Sequence, residues 1–141
     1  MDPDEKMIFS ATIVLATIIV AGLLILATGH WVKRGEASWY SNQEAGQITA
    51  SGERFHDQEL TAASWDWPFG TCLQIQNQAN HKTVAVRIND RGPAKRLYKK
   101  GRKIDLSIGA FERIADPKEG IIRVKISKTS RENCDDKKTS K

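Results

Sequence analysis

The chain has 141 residues, 40% of them hydrophobic and 28% charged, and its net charge is +5. This composition is typical of a globular protein and excludes an intrinsically disordered chain. The first six residues hold three acids and one base, so the rest of the chain carries 21 basic and 14 acidic residues, which favours anionic surroundings.

Among anionic partners, nucleic acid is the weakest choice. The chain has neither an arginine-rich run nor an aromatic–basic module of the RNA-binding kind. Anionic lipid and an acidic cell-wall polymer stay open at this point, and we predict no nucleic-acid partner.

Residues 7–29, MIFSATIVLATIIVAGLLILATG, contain no charged side chain. As a helix they would span about 35 Å, enough for the hydrocarbon core of a bilayer. A secretory signal normally has a shorter apolar region and a basic start, whereas the preceding segment 1–6, MDPDEK, is largely acidic. We therefore interpret residues 7–29 as an uncleaved transmembrane helix or signal-anchor. The small residues at 27–29 leave cleavage as an alternative, which would make the domain a secreted one.

The charges after this helix favour a cytoplasmic position for the domain that follows. Lys33 and Arg34 follow it directly, and the positive-inside rule would put them in the cytoplasm. The chemistry of the following domain, developed below, requires the opposite side, and we let that chemistry decide.

The rest divides into a linker at 30–34, a domain at 35–127 and a tail at 128–141. The tail, KTSRENCDDKKTSK, is polar and without periodicity, so we predict that it is flexible. Alternating or aromatic-rich runs predict strands at 36–40, 60–64, 72–76, 83–88 and 121–126, with the third and fourth forming a hairpin. One helix is predicted after Ser107, which can cap it, and Asp116-Pro117 would end it.

The cysteines Cys72 and Cys134 match no metal-ligand spacing. One disulfide is an option in an oxidising compartment. Since Cys134 belongs to the polar tail, we expect instead a strand cysteine at 72 and an unpaired one at 134. We predict neither a metal nor a cofactor.

Polar residues of unusual type stand at the ends of several predicted strands. The segments are GEASWYS (35–41), TASGERF (49–55), LTAASWDWPFGT (60–71), RINDRGP (87–93) and KIDLS (103–107). In the fourth, a strand ends at Asp90, and the turn Arg91-Gly92-Pro93 fixes its exit. A solvated turn aspartate is the commoner outcome at such a place, and a carboxylate held towards a substrate is the alternative.

These segments, in this order, resemble the RlpA-like (rare lipoprotein A) family of bacterial envelope proteins across about residues 35–127. The resemblance implies a mainly β fold, a six-stranded double-psi β-barrel with one short helix, as in expansins and barwin. It implies lytic transglycosylase activity, a lyase reaction on peptidoglycan glycan strands of the cell wall. The sugar's own 6-hydroxyl group attacks in that reaction, so one acid/base residue suffices.

Asp90 suits the role of general acid/base, and the resemblance implies that Glu53 assists as the second carboxylate or holds substrate hydroxyl groups. An exposed loop residue is the alternative for Glu53. The resemblance also places Asp105 in the groove, and a helix-start acid is the alternative there. We expect Arg91 to pair with a neighbouring acid or with substrate carboxylates.

Aromatic residues cluster near these motifs, and we expect Tyr40, Trp65 and Trp67 to contact sugar rings, with core packing as the alternative. If the segment around Asp66 is extended, Trp65 and Trp67 share one face.

The family usually reads LTAAH where this chain reads LTAAS, so Ser64 replaces a histidine that is thought to work beside the two carboxylates. Serine does not titrate near neutral pH. His56 could compensate, whereas His81 belongs to the hairpin turn and should be solvated. Ser64 is therefore predicted as a substrate-side position with weakened chemistry.

Three functions follow in order of preference. The first is a membrane-anchored endolytic peptidoglycan transglycosylase outside the cytoplasm. The second is a glycan-binding module that has lost catalysis, with Ser64 as the mark of that loss. The third is a barrel that docks cell-division or envelope proteins.

Overall fold

The computed structural model describes residues 1–27, 31–45 and 47–135. It contains two compact units, Met1–His30 and Trp31–Lys141, which we describe separately. The predicted helix end at residues 28–29, the start of the linker at residue 30, and the tail at 136–141 lie outside the described residues.

The first unit is the helix α1 (Pro3–Ala27). It begins four residues before the apolar run, because Asp4 and Glu5 occupy the first turn, where negative charge is favoured by the helix dipole. The stretch Pro3–Gly22 is long and apolar enough to cross a membrane by length and composition, and none of it is buried within the protein.

The second unit is a closed barrel of six strands. The strands are β1 (Val32–Tyr40), β2 (Thr61–Ala63), β3 (Cys72–Asn77), β4 (Thr83–Asp90), β5 (Arg102–Ser107) and β6 (Ile122–Lys128). Their order around the barrel is β1-β5-β2-β4-β3-β6. The pairs β1–β5 and β2–β4 are parallel and the others antiparallel. The predicted six-stranded barrel and the β3–β4 hairpin are confirmed.

Short helices connect the strands. They are α2 (Asn42–Ala45), α3 (Lys95–Lys99), α4 (Ile108–Glu112) and two 3₁₀ turns, Pro117–Glu119 and Arg131–Cys134. The predicted cap of α4 is confirmed, since Ser107 Oγ accepts a hydrogen bond from the Ala110 amide at 3.3 Å. The regular helix ends at Glu112, earlier than the apolar stripe suggested.

The core fills the barrel with the inward side chains of all six strands, closed at one side by Phe111 and Ile114 near α4. Alternation predicted these faces on β4 and β6 correctly. The strand residues in the core are Ala37, Ala62, Leu73, Ile75, Val84, Val86, Ile88, Ile104, Leu106, Ile122, Val124 and Ile126.

The predicted linker at 30–34 is wrong over its second part, because β1 begins at Val32. Lys33 and Arg34 stand opposite Ile126 and Lys125 of β6. Lys33 and Arg34 were interpreted as part of a linker because Asp66, the acid that pairs with Lys33, is far away in the sequence. The Lys33 Nζ lies 2.7 Å from Asp66 Oδ2.

The expectation of an unpaired Cys134 in a flexible tail is also wrong. Cys72 and Cys134 form a disulfide with their Cα atoms 6.0 Å apart. The chain after β6 runs beside β3, where the Thr129 amide donates to the Cys72 carbonyl oxygen at 3.1 Å. The 3₁₀ turn Arg131–Cys134 then brings the second sulfur to the first.

Candidate functional site

One transverse row of residues crosses four neighbouring strands. Ser38 of β1 stands opposite Asp105 of β5, Asp105 stands opposite Ala63 of β2, and Ala63 stands opposite Asp90 of β4. The two aspartates are therefore separated by two strand spacings, roughly 10 Å between backbones. The fold thus places two carboxylates that are 15 residues apart in the chain on the two strands that flank β2.

A bulge in β4 directs Asp90. The register with β2 passes from Ala62↔Ile88 to Ala63↔Asp90, so Asn89 is the extra residue. Such bulges bend a strand and re-aim the side chains at its end. As a result Ile88 and Asn89 are both buried, and Asp90 is half-buried at the end of the strand.

The Asp90 carboxylate has two different oxygens. Its Oδ1 accepts hydrogen bonds from the amides of Ala50 and Arg91, each at 2.8 Å. Within residues 1–27, 31–45 and 47–135, no group donates a hydrogen bond to Oδ2. One oxygen thus fixes the carboxylate to the loop 49–55 and to its own turn, and the other is available for chemistry.

Asp105 is held from two sides. Ser38 Oγ donates to Asp105 Oδ1 at 2.5 Å. On the other side, a Cβ atom on Gly92 would lie 3.4 Å from Asp105 Oδ2 and 3.2 Å from the Cβ of Ala63. A side chain at position 92 would therefore be crowded against this row. The φ angle of Gly92 is not in the left-handed region, so backbone conformation does not demand a glycine here.

Tyr40 lies beneath the two carboxylates and does not form an open sugar platform. It is 9% exposed, and its ring stacks on Phe55 at 4.7 Å between centroids. The Tyr40 hydroxyl is buried without a hydrogen-bond partner among the described residues. Burial, and then the charges of Asp90 and Asp105, raise the pKa of Tyr40 far above its usual range, so the hydroxyl stays protonated.

Glu53 is bound by a guanidinium. Arg87 donates to Glu53 Oε1 at 2.7 Å and to Oε2 at 2.9 Å, and the Asn89 amide donates to Oε2 at 3.3 Å. The hydrogen bonds to Glu53 raise the pKa of Arg87 despite its partial burial. Donors thus contact both of its oxygens, and the bond from Asn89 ties Glu53 to the end of β4.

Ser64 does not reach the surface. It is 0% exposed, and its Oγ donates to the Lys103 carbonyl oxygen at 3.3 Å and accepts from the Asp66 amide at 3.2 Å. The prediction of Ser64 as a substrate-contacting residue is therefore wrong. The serine side chain satisfies backbone groups in the barrel wall, where a larger side chain would have to displace them.

Arg91 is also structural in this geometry. Its Nη1 donates to the carbonyl oxygens of Ser64 at 2.8 Å and Trp67 at 3.1 Å, and its guanidinium lies 3.8 Å from the centroid of the Phe69 ring. No acid pairs with Arg91 in the part of the chain that the structure describes. The expected pairing with a neighbouring acid is wrong, because backbone carbonyl groups take that place.

The two tryptophans have different neighbours, since the chain bends between them. Trp65 is 40% exposed, its Nε1 donates to the Pro93 carbonyl oxygen at 2.7 Å, and Lys95 Nζ lies 4.4 Å from its ring centroid. Trp67 packs against the core. The predicted shared face is therefore wrong, and Trp65 is the aromatic residue next to the Asp90 turn.

Two histidines were considered at the sequence level. His56 is exposed, and its imidazole forms no hydrogen bond with the described residues, so nothing ties it to Asp90. His81 is exposed in the β3–β4 turn with φ of 61°, as expected of a solvated turn residue. Across the described residues, no three His, Cys, Asp or Glu side chains are grouped as a metal site.

Sequence reasoning missed Ser38, Asn89 and Arg87. Alternation along β1 puts Ser38 and Tyr40 on one face, so Ser38 could have been found from its spacing to the tyrosine. The other two could not, because the bulge and the loop that carries Glu53 are not readable from the local pattern.

A family model described as "Lytic transglycolase" matches residues 32–126, nearly the whole barrel. This chain belongs to that family. Curated relatives include a "Probable endolytic peptidoglycan transglycosylase RlpA" from Synechocystis sp., 46% identical over 95 residues, and one from Aquifex aeolicus, 43% identical over 89 residues. The matches cover 67% and 63% of this chain but only 28% and 38% of those proteins.

Solved structures of distant proteins share the fold. A Streptomyces papain inhibitor superposes with a TM-score of 0.56 at 19% identity, over 71% of this chain and 96% of its own. A Clavibacter michiganensis expansin gives a TM-score of 0.53 at 21% identity, over 71% of this chain and 51% of its own. At these identities the likeness extends to the barrel alone.

Proposed function

We propose that this protein is an endolytic peptidoglycan lytic transglycosylase with Asp90 as its general acid/base. The observation that carries the proposal is the divided Asp90 carboxylate, with Oδ1 fixed by two amides and Oδ2 without a partner among the described residues. The names of the curated relatives support the reaction class and the substrate.

The reaction needs one proton delivered and one removed. Protonated Asp90 gives its proton to the leaving glycosidic oxygen as the bond to the anomeric carbon breaks. The 6-hydroxyl oxygen of the same sugar bonds to that carbon, and Asp90 takes the hydroxyl proton, which forms a 1,6-anhydro ring without water. A fixed carboxylate favours this double use because it stays within reach of both oxygens.

Asp105 and Glu53 hold the site in different ways. Asp105, bound to Ser38, supplies a second carboxylate across Ala63 that can accept hydrogen bonds from sugar hydroxyl groups. Glu53 and Arg87 fix the loop 49–55 against Asn89. Trp65 offers the exposed ring for a sugar next to the turn.

The test uses the full chain in a non-ionic detergent, mixed with purified glycan strands stripped of stem peptides. Release of 1,6-anhydro-muramic ends is the expected result, and it should vanish in Asp90→Asn. Retention of the strands without any release would favour the second function, a binding module without catalysis. Failure to bind glycan would favour the third, a docking barrel for envelope proteins.

The proposed location is the bacterial envelope, with α1 as membrane anchor and the barrel in the periplasm or otherwise outside the cytoplasm. The disulfide between Cys72 and Cys134 supports an oxidising compartment. Cleavage of the N-terminal segment would make the barrel a secreted protein, and the mass of the purified mature chain distinguishes these cases. The proposed partners are glycan strands and the membrane.

A further inference from the structure

A second polar cleft lies on the outer wall of the barrel, on strands β1, β3 and β6. It has a volume of about 380 Å³ and is lined by Arg34, Gln76, Gln78, His81 and Lys125. Two of these residues are cationic, two carry amides and none is an acid. None of them belongs to the row that contains Asp90 and Asp105.

The two cations are neighbours by strand register. Arg34 of β1 stands directly opposite Lys125 of β6, and Lys125 stands opposite Gln76 of β3. Side chains that face each other across an antiparallel pair have their Cβ atoms about 5 Å apart, and like charges in this position are destabilising. Arg34 and Lys125 therefore concentrate positive charge on this part of the wall, and a bound anion would relieve their repulsion.

The nearby charges do not cancel this pair. The acid closest along β1 is Glu36, two residues from Arg34, and it stands opposite Arg123 of β6. Neither Arg34 nor Lys125 forms an ion pair with any acid in residues 1–27, 31–45 and 47–135. The row with Glu36 holds one acid between two arginines, Arg102 and Arg123, so it leaves no surplus negative charge for the cleft.

We propose that this cleft binds a phosphate group carried by a soluble or polymeric ligand. A phosphate monoester bears a charge of about −1.5 to −2 near neutral pH, which matches two cations better than one carboxylate does. The Arg34 guanidinium suits the bidentate geometry of phosphate oxygens, and Lys125 adds a compact charge. Glutamine amides at the rim supply neutral donors. This site is independent of the proposed glycan reaction.

The test is a titration of the full chain in non-ionic detergent with inorganic phosphate and pyrophosphate, at constant ionic strength balanced with chloride. We expect the melting temperature to rise with the logarithm of the phosphate concentration, as for any ligand that binds only the folded state. Arg34→Gln and Lys125→Gln should each raise the dissociation constant for phosphate at least 10-fold. Lys118→Gln, which removes the same charge from an exposed site outside the cleft, should change it less than 2-fold.

A second signature comes from the repulsion itself. In phosphate-free buffer of low ionic strength, Arg34→Gln should raise the melting temperature above that of the parent chain, and Lys118→Gln should not. Without phosphate, Arg34→Gln should therefore be more stable than the parent chain. With phosphate, its melting temperature should rise less than that of the parent chain. A variant that simply folds poorly would not show this combination.

Three outcomes would overturn the proposal. The first is a parent chain whose melting temperature responds to phosphate no more than to chloride. The second is an equal loss in Lys118→Gln, which would reduce the effect to net charge. The third is a response only in nanodiscs of phosphatidylglycerol, absent in phosphatidylcholine and absent with soluble phosphate, which would assign the cations to a membrane surface.

Discussion

At the scale of single residues, Asp90 combines a structural and a chemical task on two oxygens, so Asp90→Asn should have two separate effects. Turnover should be lost, because the amide cannot exchange the proton. Stability should fall by about 1 kcal/mol, because the bonds from Ala50 and Arg91 become neutral ones. That corresponds to a melting temperature lower by roughly 4–8 °C. Anhydro-end release and thermal melts measure the two effects.

The matched control is Cys134→Ser. It should lose more stability than Asp90→Asn, but it leaves the residues around Asp90 unchanged. If that variant stays active below its melting temperature while Asp90→Asn does not, lost stability cannot explain the inactivity. An Asp90→Asn protein that keeps full turnover would reduce Asp90 to a brace for its loop.

Tyr40 should be a residue that lowers stability. A buried hydroxyl without a partner costs about 1–3 kcal/mol, and Tyr40→Phe removes it while keeping the ring that stacks on Phe55. We therefore expect the melting temperature of Tyr40→Phe to rise by several degrees. A fall in differential scanning calorimetry would mean that an ordered water satisfies the hydroxyl, and the prediction would fail.

Glu53→Gln separates orientation from proton transfer. The exposed ion pair with Arg87 contributes less than about 1 kcal/mol to folding, so the melting temperature should fall by less than in Asp90→Asn. Turnover should drop only partly, and its pH profile should keep its shape. Loss of turnover as complete as in Asp90→Asn would instead give Glu53 a part in the proton transfer.

At the scale of elements, the disulfide holds the segment after β6 against β3. It joins Cys72 and Cys134, which are 62 positions apart in the chain. Loss of a cross-link of this span costs about 2–4 kcal/mol, chiefly by freeing the unfolded chain. Cys134→Ser should therefore lower the melting temperature by at least about 10 °C, with the same shift in the parent chain after reduction. A shift under 2 °C would show that the 3₁₀ turn docks without the bridge.

The elements that the sequence predicted are those with local signals. Alternating Val and Ile residues place β4 and β6, and Ser107 places the start of α4. The start of β1 and the disulfide were missed because each depends on a partner far along the chain, Asp66 for Lys33 and Cys72 for Cys134. No local pattern predicted β5, because an acid, Asp105, interrupts its apolar residues; its neighbours in the barrel are β1 and β2.

The candidate site divides in the same way. Asp90 was predicted from a motif at a strand end and Asp105 from the family resemblance, and β2 joins their strands through Ala63. The contacts of Arg91 and Ser64 could not be predicted, because each donates to backbone carbonyl oxygens. Every residue has such a carbonyl group, so the sequence does not indicate which one accepts the bond.

At the scale of the whole molecule, the proposed placement of the barrel outside the cytoplasm predicts which ends of the chain are accessible. Lys33, one of the two cations that the positive-inside rule would count, forms an ion pair with Asp66 within the barrel. A cysteine at exposed Ser130 should react with a membrane-impermeant thiol reagent in intact cells, whereas one at Asp2 should react only after the inner membrane is broken. The reverse pattern would place the barrel in the cytoplasm.

The strand order also governs when the barrel can exist during synthesis. β1, the first strand made, takes both of its neighbours from the last two, and β5 begins 70 residues after β1. At about 5–20 residues per second, β1 waits roughly 4–14 s for its first partner. Local contacts cannot shorten that delay, so β1 stays without a strand partner until β5 has been made. A chain arrested before Ile122 would leave β1 and β3 each with one unpaired edge.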